Sequence, residues 1–491
     1  GGSTVNWSCC LRTPRAVQDE WAALGLDFCK GNRFEQVLDE VSERMGVQTT
    51  KIQHNPANLA LIEGAQALKV PCSVTGQNLK DATDPDKCFL VAYGDPYSNK
   101  QSATVTYLRD ACCKYKGKCR VLAGTQVDRV VRSPETGRAV GVKTTSGQVL
   151  LSRRAVVVSA GSLHTPCVLL KSGVPNRNVG RHLRLHPVTP LSAEFPADDD
   201  DRSGFFMLGR GPPMTTVCRQ ESYEAEPYGA VVEAPHCGVG LAFACLPWTG
   251  GLRAKKTLLA AKNLGAYLVL QRDSGPGGRV TLDPANRRDP VVQYSLARRD
   301  ADSMTRTLAL ATRILKAAGA TSAQTFHVAN PVTFADLQQH SSDDALERRL
   351  SGALRRGANT VALLSAHQMG TARMGADPAT SVVDAQGQSW ELPGLWVADA
   401  SLFPTASGVN PMLTTLSLAT VVADHLIDHL TRDGSTEDHL RVARWQAAAS
   451  RKRLLRIAAN VLHFALLFTI ALLLSTQVFS SLLPSSSHHR V

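Results

Sequence analysis

Ala155-Val156-Val157-Val158-Ser159-Ala160-Gly161-Ser162-Leu163-His164-Thr165-Pro166 sets the fold class of this 491-residue chain. Four apolar residues, Ala155 to Val158, run without alternation, which predicts a strand buried on both faces, as in an α/β sheet. Ala160-Gly161-Ser162 turns the chain. Thr165-Pro166 opens a short helix, and Gly173 after Ser172 stops it. Strand, glycine turn and helix in that order bring a backbone close to a phosphate or a ring cofactor.

Upstream, Val121–Val131 and Ala139–Val149 read as strands joined by the turn Ser133-Pro134-Glu135-Thr136-Gly137. Thr13-Pro14 reads as an N-cap followed by proline, opening a helix toward Leu24. Residues 25–105 are mixed and yield little. Downstream, from about 190 to 355, the texture changes. The acidic run Asp198–Asp201 marks a loop without EF-hand spacing. Ser274-Gly275-Pro276-Gly277-Gly278 precedes a strand at Arg279–Leu282, with a partner strand around Val291, Val292 and Tyr294. Asp300 to Ala318 has helical spacing (Met304, Leu308, Ala311, Ile314, Leu315) and ends at Gly319. This region is expected to be a second, antiparallel-sheet domain inserted into the first. Leu395-Trp396-Val397-Ala398 is a buried strand leading into Asp399-Ala400-Ser401. Asn410-Pro411 then caps a helix running to about Leu430.

The composition is that of a globular protein, 43% hydrophobic and 20% charged. Of the net charge of +12, the segment 441–456 carries +6 with no acid in it. The remainder is too dilute for a nucleic-acid footprint. Twelve cysteines include no C-x-x-C pair, so most are expected to be reduced, small and buried, as in a cytosol-facing protein. Ile457 to Leu483 contains no Asp, Glu, Lys or Arg. It is longer than the ~20 residues a helix needs to cross a bilayer. With the basic cluster before it, it reads as a single-pass membrane anchor with the preceding chain on the cytosolic side, the endoplasmic reticulum favoured. The alternative is a buried C-terminal helix.

The densest chemical signal is Ser365-Ala366-His367-Gln368-Met369-Gly370-Thr371 with Arg373-Met374-Gly375, followed by Gly408-Val409-Asn410-Pro411-Met412. A neutral imidazole can take a hydroxyl proton at neutral pH. An amide can hold the oxygen as charge develops on it. Asn410 stands where a helix begins, an end that favours negative charge on a reduced ring. A structural role for a lone loop histidine remains the more common case. His182 and His186 are four apart, but Pro187 and the lack of a following Glu argue against zinc. Asp424-His425 and Asp428-His429 read as a solvated helix face. No G-x-S-x-G elbow is present.

The strings HQMGTARMG and LPGLWVADASLFPTASGVNPM, the opening GGSTVNW, and Ala155–Pro166 together resemble the signatures of the glucose–methanol–choline oxidoreductases. GGSTVNW with HQMG resembles the long-chain fatty alcohol oxidase branch. The resemblance covers roughly residues 1–15 and 105–430, with four motifs in order. It implies a discontinuous α/β, Rossmann-like FAD-binding domain (1–15, 105–189 and 356–430) and an inserted α+β antiparallel-sheet substrate domain (190–355). Between and beyond lie an intervening region (16–104), a basic linker (431–456) and a C-terminal transmembrane helix (457–483). The resemblance makes His367 the base and Asn410 its partner. It places Gly2, Ser3 and Asn6 beside the flavin, Val127 at the adenine, and Ala160 and Gly161 over the cofactor. Asp399 and Ala400 match the ribityl and pyrophosphate contacts, and Pro411 and Met412 the helix end at the ring.

The implied reaction is oxidation of a primary, long-chain alcohol to the aldehyde, with hydride passing to FAD and O2 giving hydrogen peroxide. The implied partners are a lipid alcohol, O2 and the bilayer. One departure stands out: G-x-G-x-x-G, the fingerprint that seats the pyrophosphate, does not occur. The nearest string, Gly238-Val239-Gly240, has no third glycine. On that ground the sequence reads as truncated, with the central strands of the first sheet lacking and FAD binding weakened. The stretch Cys88-Phe-Leu-Val-Ala-Tyr-Gly-Asp also departs from the branch's Cys/Gly-rich pattern. A flavin dehydrogenase using another acceptor and a non-catalytic, flavin-free membrane protein remain as alternatives.

Overall fold

The computed structural model describes residues 1–114, 117–196, 211–221, 227–235, 250–326 and 363–432. The acidic run Asp198–Asp201, the string Gly238-Val239-Gly240, most of the basic linker and the apolar run 457–483 lie outside the described residues. No helix among the described residues is long and apolar enough to cross a membrane.

The deciding stretch folds as strand, turn and helix. Val156–Val158 pairs in parallel with Leu395–Val397, in the register Val156 to Leu395. Trp396 and its strand neighbours are fully buried, in a core with Trp21, Phe34, Leu169, Phe403 and Leu418. Trp21 meets Phe34 and Phe403 edge-on, with ring centres 6.2 and 5.8 Å apart. Two expectations fail here. Val157 is 45% exposed rather than buried, because this two-stranded sheet leaves one of its faces open. The helix begins at Gly161 and runs to Lys171, not from Thr165. Thr165 does not cap it, because it is the fifth residue of the helix; its hydroxyl accepts from Ala160 N at 3.0 Å and donates to Asp399. Pro166 lies inside the helix, where it leaves the carbonyl of Ser162 without a helical donor. Thr371 supplies one, its Oγ1 donating to Ser162 O at 2.7 Å.

Strands Val127–Arg132, Ala139–Thr144 and Val149–Leu151 form an antiparallel three-stranded sheet. The first of them starts six residues later than its expected bound of Val121. Thr13 also departs from expectation. The helix Arg15–Ala23 has no side-chain cap, and Thr13 Oγ1 instead meets Thr414 Oγ1 at 2.8 Å.

A second sheet has six strands, all antiparallel, in the order Ser322–Thr325, Val188–Glu194, Leu264–Gln271, Ala230–Glu233, Thr216–Arg219, Cys72–Val74. It therefore draws one edge strand from the segment 16–104. The helix Pro56–Ala67, capped by Asn55, and the helix Arg298–Ala317 cover one face. There they bury Leu61, Leu191, Val232, Val269, Met304 and Ile314. Side chains alternate across a strand, so Val231, Leu270 and Val217 point to the opposite face, against Leu11. Glu233 shares that face. The hairpin Gly278–Leu282 with Pro290–Gln293 pairs as expected, but it joins Arg181–Leu183 rather than the six-stranded sheet.

Candidate active site

The 365–370 loop is fixed against the segment 184–186. Arg184 N donates to Met369 O at 2.8 Å, and Met369 N returns the bond at 2.9 Å. Ser365 Oγ donates to Leu185 O at 2.5 Å and accepts from His367 N. Gly370 has φ +87°, and a Cβ there would stand 2.6 Å from His182 O. Only glycine fits the position. His367 is thereby held half-buried. Its Nδ1 lies 3.3 Å from Nδ1 of His186, a buried ring whose Nε2 accepts from Gly408 N at 3.0 Å. Burial first, and the neighbouring His186 second, push the His367 pKa down to about 3. Burial and Arg272 do the same for His186. Both rings are neutral at pH 7.

Asn410, two residues beyond Gly408, is buried. It does not cap the following helix, Met412–Arg432, with its side chain. Its Nδ2 donates instead to Glu233 at 3.3 Å. Burial raises the Glu233 carboxyl to about 7, while the Asn410 bond lowers it. The loop carrying Gly408 is braced by the buried Arg272, which donates to Ala406 O at 2.8 Å and pairs with Glu20 at 2.7 Å. His186 thus joins the loops that carry His367 and Asn410, and Glu233 brings in the six-stranded sheet.

The chain opens on a short helical turn, Gly2–Val5. Asn6 Nδ2 lies 2.9 Å from Met412 Sδ, which brings two of the expected positions together across the whole sequence. Ser3 Oγ accepts from Ala103 N at 3.1 Å. Lys100, buried, donates to the carbonyls of Thr4 and Val91, each at 3.1 Å, and to that of Asn6. It pins the opening turn, and burial lowers its pKa to about 8. Asp399 accepts from Gly161 N (2.8 Å), Thr165 Oγ1 (2.5 Å), Ser401 N (2.8 Å) and Ser401 Oγ (2.5 Å). It ties the first βα turn to the second. Val127 begins its strand partly exposed, and the described contacts do not bring it to His367 or Asn410.

The residues fit a flat ring cofactor with a polar tail. Gly161 has φ +81° and nothing within 4 Å of where a Cβ would stand. Ser159 and Ala160 are exposed beside the open face of Val157. Gly2 is equally open. FAD would lie against Gly2, Ser3, Asn6, Ala160, Gly161, Asp399, Ala400, Pro411 and Met412, with Val127 toward its adenine.

The N-terminal model of the GMC oxidoreductases matches residues 1–188, and the C-terminal model matches residues 274–419. The chain belongs to the GMC oxidoreductase family. Its relatives include long-chain-alcohol oxidase FAO4A of Arabidopsis thaliana, 31% identical over 451 residues, covering 88% of this chain and 59% of that protein. FAO4B of the same plant is 30% identical over 447 residues, covering 88% and 58%. This GMC chain thus spans less than two thirds of the length of these relatives. Formate oxidase from Aspergillus oryzae superposes with a TM-score of 0.64 at 15% identity, covering 88% of this chain and 84% of that one. Pyridoxine 4-oxidase superposes with a TM-score of 0.59 at 18% identity, covering 85% and 81%. These structures share the fold.

Three residues of this GMC site escape sequence reasoning. Glu233 carried a signal, a single acid in the apolar run Ala230-Val231-Val232-Glu233-Ala234. His186 offers, by its spacing from His182, only a zinc-ligand pattern. Lys100, between Asn99 and Gln101, carried none. On the last helix, Asp424 pairs with Arg33 at 2.8 Å, and the His429 ring packs 5.7 Å from Trp396. The helix face there is only partly solvated. No group of metal-ligating side chains occurs among the described residues.

Proposed function

We propose that the chain oxidises a primary long-chain alcohol to its aldehyde with FAD, and that O2 is the final acceptor, giving hydrogen peroxide. The observation that carries this reading is that His186 joins the loops carrying His367 and Asn410, with Glu233 bonded to Asn410. His367 and Asn410 flank the substrate hydroxyl, and the amide holds the oxygen as charge gathers on it. FAD, when bound, supplies the hydride acceptor. The similarity to long-chain-alcohol oxidases supports the substrate class. The uncharged run 457–483 supports a place at a membrane, for which we propose the endoplasmic reticulum with the globular part facing the cytosol. Long-chain alcohols partition into bilayers, so an anchored enzyme meets its substrate there.

The test is the visible spectrum of the purified protein under exclusion of air. Flavin bands that bleach on adding a long-chain alcohol, and return with oxygen uptake and peroxide release, are the expected result. His367→Ala should slow bleaching by about 10²–10⁴-fold. Bleaching by a dye-linked route without oxygen uptake would move the acceptor away from O2. A protein that holds flavin yet never bleaches with any primary alcohol refutes the reading. For the anchor, protein ending at residue 440 should leave the membrane fraction.

A further inference from the structure

The helix Gly251–Leu259 turns leucines outward. Leu252, Leu258 and Leu259 are 71%, 53% and 73% exposed. A single exposed leucine is ordinary on a protein surface, but three on one short helix form a pattern. At 3.6 residues per turn, Leu252 and Leu259 project within about 20° of each other. Lys255 and Lys256, both exposed, stand about 50° to either side of that direction. Leu258 extends the apolar strip beyond Lys255. Ala254 and Thr257, half-buried, lie on the opposite face. The charge around the helix has one sign. From Ala234 to Arg272 the sequence has no Asp or Glu, while Arg253, Lys255, Lys256 and Lys262 follow one another closely.

We propose that Gly251–Leu259 lies flat in the interface of an anionic lipid bilayer, its leucines among the acyl chains and its lysines reaching back to the headgroups. Two observations favour lipid over a protein partner. Interfaces between proteins are depleted in lysine, whereas lysines flanking a leucine strip suit the boundary between acyl chain and headgroup. The unbroken positive charge matches the negative surface potential of an anionic leaflet. The role of the contact, loading a long-chain alcohol from the bilayer, rests on the alcohol-oxidising reading of the site. The helix passes through the turn Ala261–Asn263 into the strand Leu264–Gln271. Leu268 of that strand pairs with Glu233, whose carboxylate holds Asn410. Leu264 and Leu268 are about 13 Å apart along the strand. The docking helix and the site are thus joined through half of one strand, so that the tail of a long-chain alcohol held at Asn410 can extend toward the bilayer.

Amide exchange tests the docking without turnover. The full chain is reconstituted into vesicles of phosphatidylcholine alone or mixed equally with phosphatidylserine. Peptides covering 251–259 should exchange at least about ten-fold more slowly on the anionic vesicles, since each lysine near a charged surface strengthens binding about five-fold. High salt should erase the difference by screening. Lys255→Glu combined with Lys256→Glu should abolish it, while the strand Leu264–Gln271 keeps its protection and so reports a folded chain. Equal exchange on the two lipids overturns the proposal. So does protection that depends on protein density at constant lipid, which would assign the face to a second copy of the chain. In turnover, Leu252→Ser combined with Leu259→Ser should raise KM for a long-chain alcohol supplied in anionic vesicles by about ten-fold or more. The same variant should leave kcat for a short, water-soluble alcohol unchanged. An unaltered KM refutes the loading role. A chain inert toward every alcohol refutes the oxidase reading and leaves the exchange result in force.

Discussion

Asp399→Asn keeps the shape of the side chain and removes half of its acceptors. The wild-type carboxylate serves four donors, two of them the backbone N–H groups of Gly161 and Ser401. The amide of asparagine offers one oxygen, so its nitrogen must face one of the two pairs. The hydroxyl in that pair, Thr165 or Ser401, can turn and accept, but the backbone N–H beside it cannot. One buried donor is left facing an NH2 group, at a cost of about 1–3 kcal/mol, and the remaining bonds lose their charge assistance. Together these give a loss of about 2–4 kcal/mol. Urea denaturation followed by the fluorescence of the buried Trp21 and Trp396 reads the loss as a lowered midpoint. Amide exchange at Gly161 and Ser401 locates it, since one of the two should exchange far faster than in the wild type. Flavin content should fall in parallel. A change below about 0.5 kcal/mol, within the range of ordinary surface substitutions, with both amides still protected, refutes this account of the turn.

Other perturbations have equally defined outcomes. Glu233 has a folded pKa of about 7 against an ordinary 4.5. Its contribution to stability is therefore full below about pH 4.5 and is lost as pH rises through 7. The difference in unfolding free energy between wild type and Glu233→Gln should fall by on the order of 3 kcal/mol from pH 4.5 to 8. The buried histidines, with opposite sign, cancel in that comparison, and a flat difference would contradict the burial of the carboxylate. Gly64→Ala would set a methyl 2.0 Å from Ile314 O, where the helices Pro56–Ala67 and Arg298–Ala317 cross. A loss of about 1–3 kcal/mol or more in denaturant stability is expected, and an unchanged midpoint would deny the crossing. Cys72 and Cys218 face each other on paired strands with Sγ atoms 3.0 Å apart. Mild thiol oxidation should join them, seen as one linked peptide by mass spectrometry, while the buried Cys29 stays free. Retention of both thiols under conditions that oxidise Cys113 would count against that pairing.

Local signals in the sequence match the structure where local chemistry decides it. Strand Leu395–Val397, the helix from Arg298 and the hairpin at 278–293 all follow from apolar period and turn residues. Failures occur where a distant residue takes over a local role. Thr165 looks like a cap, but the helix starts four residues before it and its hydroxyl donates to Asp399, 234 positions away. The hydroxyl of Thr13 likewise meets that of Thr414. Val157 looks doubly buried because nothing local tells that, among the described residues, its sheet has two strands. Glu233 and His186 belong to the site through pairings across 177 and 181 positions, and no spacing rule reaches that far. Residues 25–105 yield little in the sequence, although the helices Arg33–Arg44 and Pro56–Ala67 lie there. The helix Pro56–Ala67 lacks a polar face, being packed between a sheet and a second helix.

The contact between Asn6 and Met412, 406 positions apart, has a consequence during synthesis. At about 5–20 residues per second, the turn at the start of the chain waits roughly 20–80 s for the helix end it must meet. Thr13 waits as long for Thr414. Through that interval Trp21 can meet Phe34 but not Phe403, its partner on the far side. The pocket therefore closes only after synthesis has passed residue 412, and its yield in a cell should respond to ribosome speed and to holdase chaperones.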